Sequence, residues 1–159
     1  MEIGLVGLGK MGYNLALNLQ KNGHLVIGYD SIEAARKQAD TSGIKTAKDL
    51  KEMVASLKQT KIIWIMVPAG DPLEAVLSEV NELLEPDDII IDGGNSHYKD
   101  SIRHANVSAT KGIHFLDMGT SGGKSGANAG ACLMVGGNSE AFAVIEPILK
   151  GICVKDGYL

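Results

Sequence analysis

The sequence predicts an α/β domain: a mostly parallel, doubly wound sheet with helices on both faces. Three observations carry this. Short apolar runs recur at 3–6, 25–29, 61–67, 88–92, 113–117 and 131–135, the composition of strands buried on both faces. Helix-compatible segments alternate with them, the pattern of βαβ units joined by right-handed crossovers. The first thirty residues alone hold a strand, a glycine turn, a helix, a second strand and an acid, in that order.

In chain order, 3–6 is the first strand, and Gly7-Leu8-Gly9-Lys10-Met11-Gly12 is the turn that follows it. The helix after the turn runs to the stop signal Asn22-Gly23. The second strand, 25–29, ends on Asp30. A helix over 31–40 is expected, with Ser31 at its N-cap, then a short strand at 43–46 and a helix over 47–57. The strand at 61–67 stops at Pro68-Ala69-Gly70. Asp71 at the cap and Pro72 in the first turn open a helix that Pro86 ends. The strand at 88–92 leads to Gly93-Gly94-Asn95-Ser96 and a helix over 98–110. The strand at 113–117 runs into a glycine-containing loop, 118–123, and a strand at 131–135 follows. A helix over 139–150, despite Pro147, and a short strand at 152–154 complete the prediction.

Each part of the first turn has a physical role. Gly7 permits a tight turn, Gly9 lets backbone approach a pyrophosphate, and Gly12 allows close helix–strand packing. The helix N-terminus offers unpaired N–H groups and partial positive charge to phosphates. Asp30 lies 18 residues past Gly12, where a carboxylate accepts hydrogen bonds from ribose hydroxyls. With strand, helix, second strand and acid around it, the glycine motif indicates a Rossmann-type dinucleotide-binding domain. A negative Asp30 followed by Ser31 repels a 2′-phosphate, so NAD is expected over NADP. Arg36 and Lys37 lie far enough into the next helix to swing back toward that position.

Composition narrows the function classes. The chain has 159 residues, 45% of them hydrophobic, enough for one domain spanning 1–159. Net charge is −4 and mean hydropathy +0.06. No basic cluster or aromatic platform suggests nucleic acid, and no apolar run approaches the roughly 20 residues of a membrane span. The chain enters its first strand at once, which leaves no room for a signal peptide and points to the cytoplasm. Cys132 and Cys153 lack CxxC spacing and sit in apolar runs, so two buried, reduced thiols are expected. No metal site is expected.

Ligands in such sheets bind outside the carboxyl ends of the strands. Four loops should therefore open on one edge: 7–12, 68–70, 93–96 and 119–123. Asn95 has an amide that both donates and accepts, suited to bridging the nicotinamide end of a cofactor and a substrate hydroxyl. An equal alternative is a turn that caps the next helix. Ser121-Gly122-Gly123 offers a hydroxyl and consecutive N–H groups, either an anion nest or a flexible turn. Lys124 beside it is a solvated or site-directed cation. His97 and His104, seven residues apart, read as solvated rather than as metal ligands or catalysts.

Taken together, Gly7 to Gly12, Asp92-Gly93-Gly94-Asn95-Ser96 with Tyr98 and Asp100, and Ser121-Gly122-Gly123 before Gly126 and Gly130 resemble the decarboxylating 6-phosphogluconate dehydrogenases. Met134-Val135-Gly136-Gly137 resembles a mark of the wider β-hydroxyacid dehydrogenases. The resemblance covers essentially the whole chain and corresponds to the family's amino-terminal cofactor domain. It implies cofactor contacts at Gly7, Leu8, Gly9, Lys10, Met11, Gly12, Asp30, Ser31, Ile32, Val67, Pro68, Ala69 and Asn95. It implies substrate contacts at Asn95, Ser121, Gly122 and Gly123. The implied reaction oxidises 6-phosphogluconate at C3 by hydride transfer to NAD(P), and loss of CO₂ yields ribulose 5-phosphate.

Asp30-Ser31 stands where NADP-using members carry Asn-Arg, so the resemblance points to the NAD-preferring, shorter branch. The family's catalytic lysine and glutamate, and the helical domain that carries homo-oligomer contacts, would lie beyond Leu159. These residues alone are then expected to bind cofactor without turnover. Two alternatives stand beside this reading: a hydroxyisobutyrate-type β-hydroxyacid dehydrogenase, and a non-catalytic NAD-binding module.

Overall fold

The apolar runs lie side by side in one sheet, because strands with no polar alternation must be covered on both faces. In the computed structural model, which describes residues 1–58 and 60–159, the first elements are β1 (Glu2–Val6), α1 (Lys10–Lys21), β2 (Leu25–Tyr29), α2 (Glu33–Thr41) and β3 (Lys45–Thr46). Next come α3 (Leu50–Ala55), β4 (Ile62–Ile65), α4 (Asp71–Leu83), β5 (Ile89–Asp92) and α5 (Tyr98–Ala109). The chain continues through β6 (His114–Ser121), α6 (Gly123–Ala129), β7 (Ala131–Gly137), α7 (Ser139–Ile152) and β8 (Cys153–Tyr158).

The strand order is β3-β2-β1-β4-β5-β6-β7-β8, with every pair parallel up to β6. The order reverses between β1 and β4, the switch point where such sheets bind ligands. Alternate side chains feed two cores. Ile3, Leu5, Trp64, Ile91 and Leu116 meet Leu15 and Leu19 of α1 and Ile145 and Leu149 of α7 on one face. Val6, Ile63, Ile65, Ile90 and Phe115 meet Met53, Leu73 and Leu77 on the other. Each fully buried aliphatic side chain contributes about 1.5–3 kcal/mol, which is why the sheet interior tolerates no polar run.

Several boundaries differ from the sequence prediction. Ser31 is exposed and does not cap α2; its N-cap is Ile32, whose N–H donates to Asp30 Oδ1 at 2.8 Å. α3 is shorter than 47–57 because Asp49 accepts from the Glu52 N–H at 2.7 Å and fixes the start there. The expectation for 47–57 stops short of residue 59, which lies outside the described residues. α4 is capped by Gly70, in a positive-φ conformation, with Asp71 already its first residue. β6 runs on to Ser121, past its predicted end at 117.

Two features were not predicted at all. Residues 123–129 form α6, and β7 runs antiparallel to β6, with Ser121 paired to Cys132. A short helix between them reverses the chain without crossing the sheet. β8, parallel to β7, covers Cys153–Tyr158 rather than 152–154, since α7 extends through Ile152. Cys132 is exposed and Cys153 partly buried, so the expectation of two buried thiols fails. Burial lifts the Cys153 thiol to about 11. Among the described residues, no helix is long and apolar enough to cross a membrane.

Candidate functional site

Strand register sets the site. Val6 pairs with both Tyr29 and Ile65, Ile65 with Asp92, and Asp92 with Asp117. The carboxyl ends of β1, β2, β4 and β5 are therefore level, with β6 running four residues past them, and the loops after β1, β2, β4 and β5 leave from one edge.

The turn after β1 is shaped by contact with its neighbours. Gly7 has φ 92° and donates its N–H to the Tyr29 carbonyl at 2.8 Å. A Cβ at Gly12 would run into the carbonyl oxygen of Gly7, so α1 leaves the turn in near contact with it. Gly9 is the N-cap of α1 and supplies no side-chain acceptor. A Cβ built on Gly9 meets nothing within 4 Å. The first-turn N–H groups of α1 thus sit behind open space, an arrangement that accepts a diphosphate.

Asp30 closes the turn from the end of β2. Its Oδ2 accepts from the Leu8 N–H at 2.7 Å and its Oδ1 from the Ile32 N–H at 2.8 Å. Each carboxylate oxygen keeps a lone pair for a ribose hydroxyl. Of the two cations that sequence places near, Lys37 is turned to Glu33 at 2.7 Å. Arg36 comes back to the strand end, its Nη1 donating to the Asp30 carbonyl at 2.6 Å.

Two clefts share this edge. One, of about 310 Å³, lies between β1, β2 and α4 and is lined by Gly7, Tyr29, Asp30, Ser31, Val67 and Val76 among others. A second, of about 430 Å³, is lined by Gly9, Lys10, Met11, Gly12, Val67, Pro68, Asn95 and Thr120, with Met66, Gly93 and Gly94. Val67 borders both. A third hollow of about 410 Å³ lies behind the turn, between Leu8, Lys10 and Gln38, with Lys124 on its rim.

Asn95 is held at φ 58°, a left-handed conformation that Asn tolerates better than most residues. Asp92, fully buried, accepts from the Gly94 N–H at 2.9 Å and from Ser96 Oγ at 2.5 Å. Asp117 lies beside it on β6. Burial pushes the Asp117 carboxyl above its ordinary range, the Ser101 hydroxyl opposes this, and the Asp92 charge adds to it.

Of the residues the sequence singled out, Gly7, Leu8, Gly9, Lys10, Met11, Gly12, Asp30, Ser31, Val67, Pro68 and Asn95 line one of these hollows. Ile32 is 63% exposed and, like Ala69, lines none of them. Ser121, Gly122 and Gly123 form neither a free turn nor an isolated nest. Ser121 ends β6, Gly122 caps α6 at φ 108°, and Gly123 begins it; all three are exposed and follow directly on Thr120 of the cleft wall. Sequence reasoning missed Tyr29, Met66 and Thr120; position at a strand end was the signal that could have found them.

The histidines part company. His97 caps α5, its Nδ1 accepting from the Lys99 N–H at 3.3 Å. His104 is buried rather than solvated, with Nε2 2.8 Å from Glu74 Oε1 and its ring against Phe115. Amphipathic spacing on α5 did not reveal this, because the partner comes from α4. Among the described residues no cluster of three His, Cys, Asp or Glu side chains is placed to hold a metal.

The chain matches, over residues 2–155, the model of the family described as the NAD binding domain of 6-phosphogluconate dehydrogenase. It is 47% identical to a Bacillus subtilis protein provisionally named a 6-phosphogluconate dehydrogenase, covering 100% of this chain and 53% of that one. It is 39% identical to the NAD(+)-dependent, decarboxylating 6-phosphogluconate dehydrogenase of Haloferax volcanii, covering 99% of this chain and 52% of that one. Among solved structures, Plasmodium falciparum 6-phosphogluconate dehydrogenase superposes with a TM-score of 0.89 at 32% identity, over 99% of this chain and 35% of that one. That structure was described with NADP+ and with 6-phosphogluconate. The chain spans about half the length of the two curated relatives.

Proposed function

The chain belongs to the family of NAD-binding domains of 6-phosphogluconate dehydrogenase, and from that premise we propose that it is the cofactor half of an enzyme that oxidatively decarboxylates 6-phosphogluconate with NAD in preference to NADP. The observation that carries the reading is the single cleft edge on which the uncapped start of α1, the Asp30 carboxylate and Asn95 all open.

Bound there, the dinucleotide supplies a hydride acceptor. The α1 N–H groups and the turn from Gly7 to Gly12 hold its diphosphate. Asp30 accepts from the adenosine ribose hydroxyls, and its negative charge disfavours a 2′-phosphate. Val67, Pro68 and Ala69 follow the dinucleotide past β4, with Ser31 and Ile32 at its adenosine end. Asn95 offers an amide N–H and a carbonyl to the nicotinamide end and to a substrate hydroxyl. Ser121, Gly122 and Gly123 flank that position on the β6 side and meet the sugar acid. In the same proposal residues 1–159 are one cofactor-binding unit of a cytoplasmic enzyme. Proton-transferring residues and oligomer contacts come from a helical domain outside it.

The test is titration of NADH and NADPH against the chain and its Asp30→Ala variant. NADH is expected to bind more tightly, and the substitution to narrow the gap. Tighter binding of NADPH by the unaltered chain overturns the cofactor preference, and binding of neither overturns the cofactor reading.

A further inference from the structure

We propose that Asp92 is a positioning residue that sets the presentation of Asn95 to the nicotinamide end of the cofactor, an inference that rests on the function proposed above. Its basis is local. Asp92 ends β5 and is wholly buried, and among the described residues no salt bridge reaches it. Its two oxygens are taken by groups on either side of Asn95: Oδ1 by the Gly94 N–H at 2.9 Å, Oδ2 by Ser96 Oγ at 2.5 Å. Burying a carboxylate is costly unless its hydrogen bonds are made, so this one fixes the backbone that makes them. What it fixes is a non-glycine residue at φ 58°, a conformation that persists only where the surroundings over-determine it.

The geometry also states which way Asn95 faces. A Cβ at Gly119 would lie 4.0 Å from Asn95 Oδ1, so the carboxamide spans the cleft mouth from the β5 loop toward β6. The other wall carries Met66, Pro68 and the turn at Gly9 to Gly12. Without the Asp92 clamp, Asn95 would relax toward ordinary backbone angles and its carboxamide would leave that position. Asp92 itself touches no ligand: its exposure is zero.

The experiment compares NADH with ADP-ribose, which keeps the diphosphate and adenosine but lacks the nicotinamide ring. Both are titrated against the unaltered chain, Asp92→Asn, Ser96→Ala, Asn95→Ala and the Asp92→Asn/Asn95→Ala double variant. Asp92→Asn and Asn95→Ala are each expected to weaken NADH by about tenfold and to leave ADP-ribose within about twofold. The double variant should bind NADH no more weakly than Asn95→Ala alone, since one residue acts through the other.

Equal weakening of NADH and ADP-ribose by Asp92→Asn would show a merely structural role and overturn the proposal. So would losses that multiply in the double variant, or NADH binding indifferent to Asn95→Ala. If Asp92→Asn does not fold, Ser96→Ala decides, because it removes one bond and keeps the carboxylate. A loss confined to NADH then supports the proposal, and unchanged NADH binding overturns it. An unaltered chain that binds neither ligand overturns the underlying cofactor reading, and this proposal with it.

Discussion

On the proposed reading, Asp30 and Arg36 act in opposite directions on a 2′-phosphate. The carboxylate repels it, while the guanidinium, anchored 2.6 Å from the Asp30 carbonyl, brings a positive charge to the same strand end. If Asp30→Ala narrows the gap between NADH and NADPH, Arg36→Ala should widen it, by about 1 kcal/mol, the usual size of a solvent-screened charge contact. Parallel titrations check this, and an unchanged ratio in Arg36→Ala would refute it. The two glycines of the same turn separate binding from folding. A Cβ at Gly9 meets nothing in the free chain, so Gly9→Ala should leave the melting temperature unchanged while it blocks the diphosphate and weakens NADH at least tenfold, about 1.4 kcal/mol. A Cβ at Gly12 meets backbone that cannot give way, so Gly12→Ala should destabilise the fold itself by about 1–3 kcal/mol. Denaturant midpoints beside NADH titrations distinguish the pair. NADH binding unchanged in Gly9→Ala would mean the space above it is not a ligand's.

Between α4 and α5, Glu74 joins Arg103, a contact that draws its carboxyl down to about 2, with a smaller contribution from the His104 ring. A carboxyl lowered on folding stabilises above its ordinary value of 4.5 and loses that contribution as pH falls toward 2. With 43% of the Glu74 side chain exposed, solvent screening limits this to about 1 kcal/mol. Glu74→Gln should therefore cost stability at pH 7 and cost little at pH 2; urea midpoints at both would show it, and an equal cost at both would refute it. Asp117 runs the other way: its raised carboxyl favours the fold at low pH and gives that up as pH rises through its folded value. Elements defined by apolar runs were legible in the sequence, because a short, β-branched run such as Ile62–Ile65, with Pro68 and Gly70 soon after it, reads as a covered strand. α6 was not. Gly123–Ala129 has little helix propensity of its own and is held by tertiary contact: Gly126 and Ala127 are buried, and Lys21 Nζ donates to Asn128 at 3.0 Å. The reversal of β7 escaped for the same reason, since a strand's direction depends on the connection before it.

At the scale of the molecule, the rule that ligands gather at the carboxyl ends of parallel strands located the cleft around Gly9, Pro68 and Asn95 from the chain alone. It could not locate Ser121 in the same way, because β6 overshoots the level edge and turns into an antiparallel pair. The eight strands nonetheless form one sheet between two cores, and the cleft joins residues from α1, the β4 and β5 loops and β6. A ligand bound there touches elements far apart in sequence that share one cooperative unit, so its binding energy should stabilise all of them together. At a free NADH concentration 100 times its dissociation constant, the gain is about 2.7 kcal/mol. For a domain of this size that corresponds to a rise in melting temperature of about 5–11 °C. Calorimetry with and without NADH should show one transition that moves as a whole. Two transitions, with NADH moving only the one that contains β1 to β5, would mean that β6 to β8 fold as a separate unit, and that the Thr120 wall of the cleft is not coupled to the glycine turn.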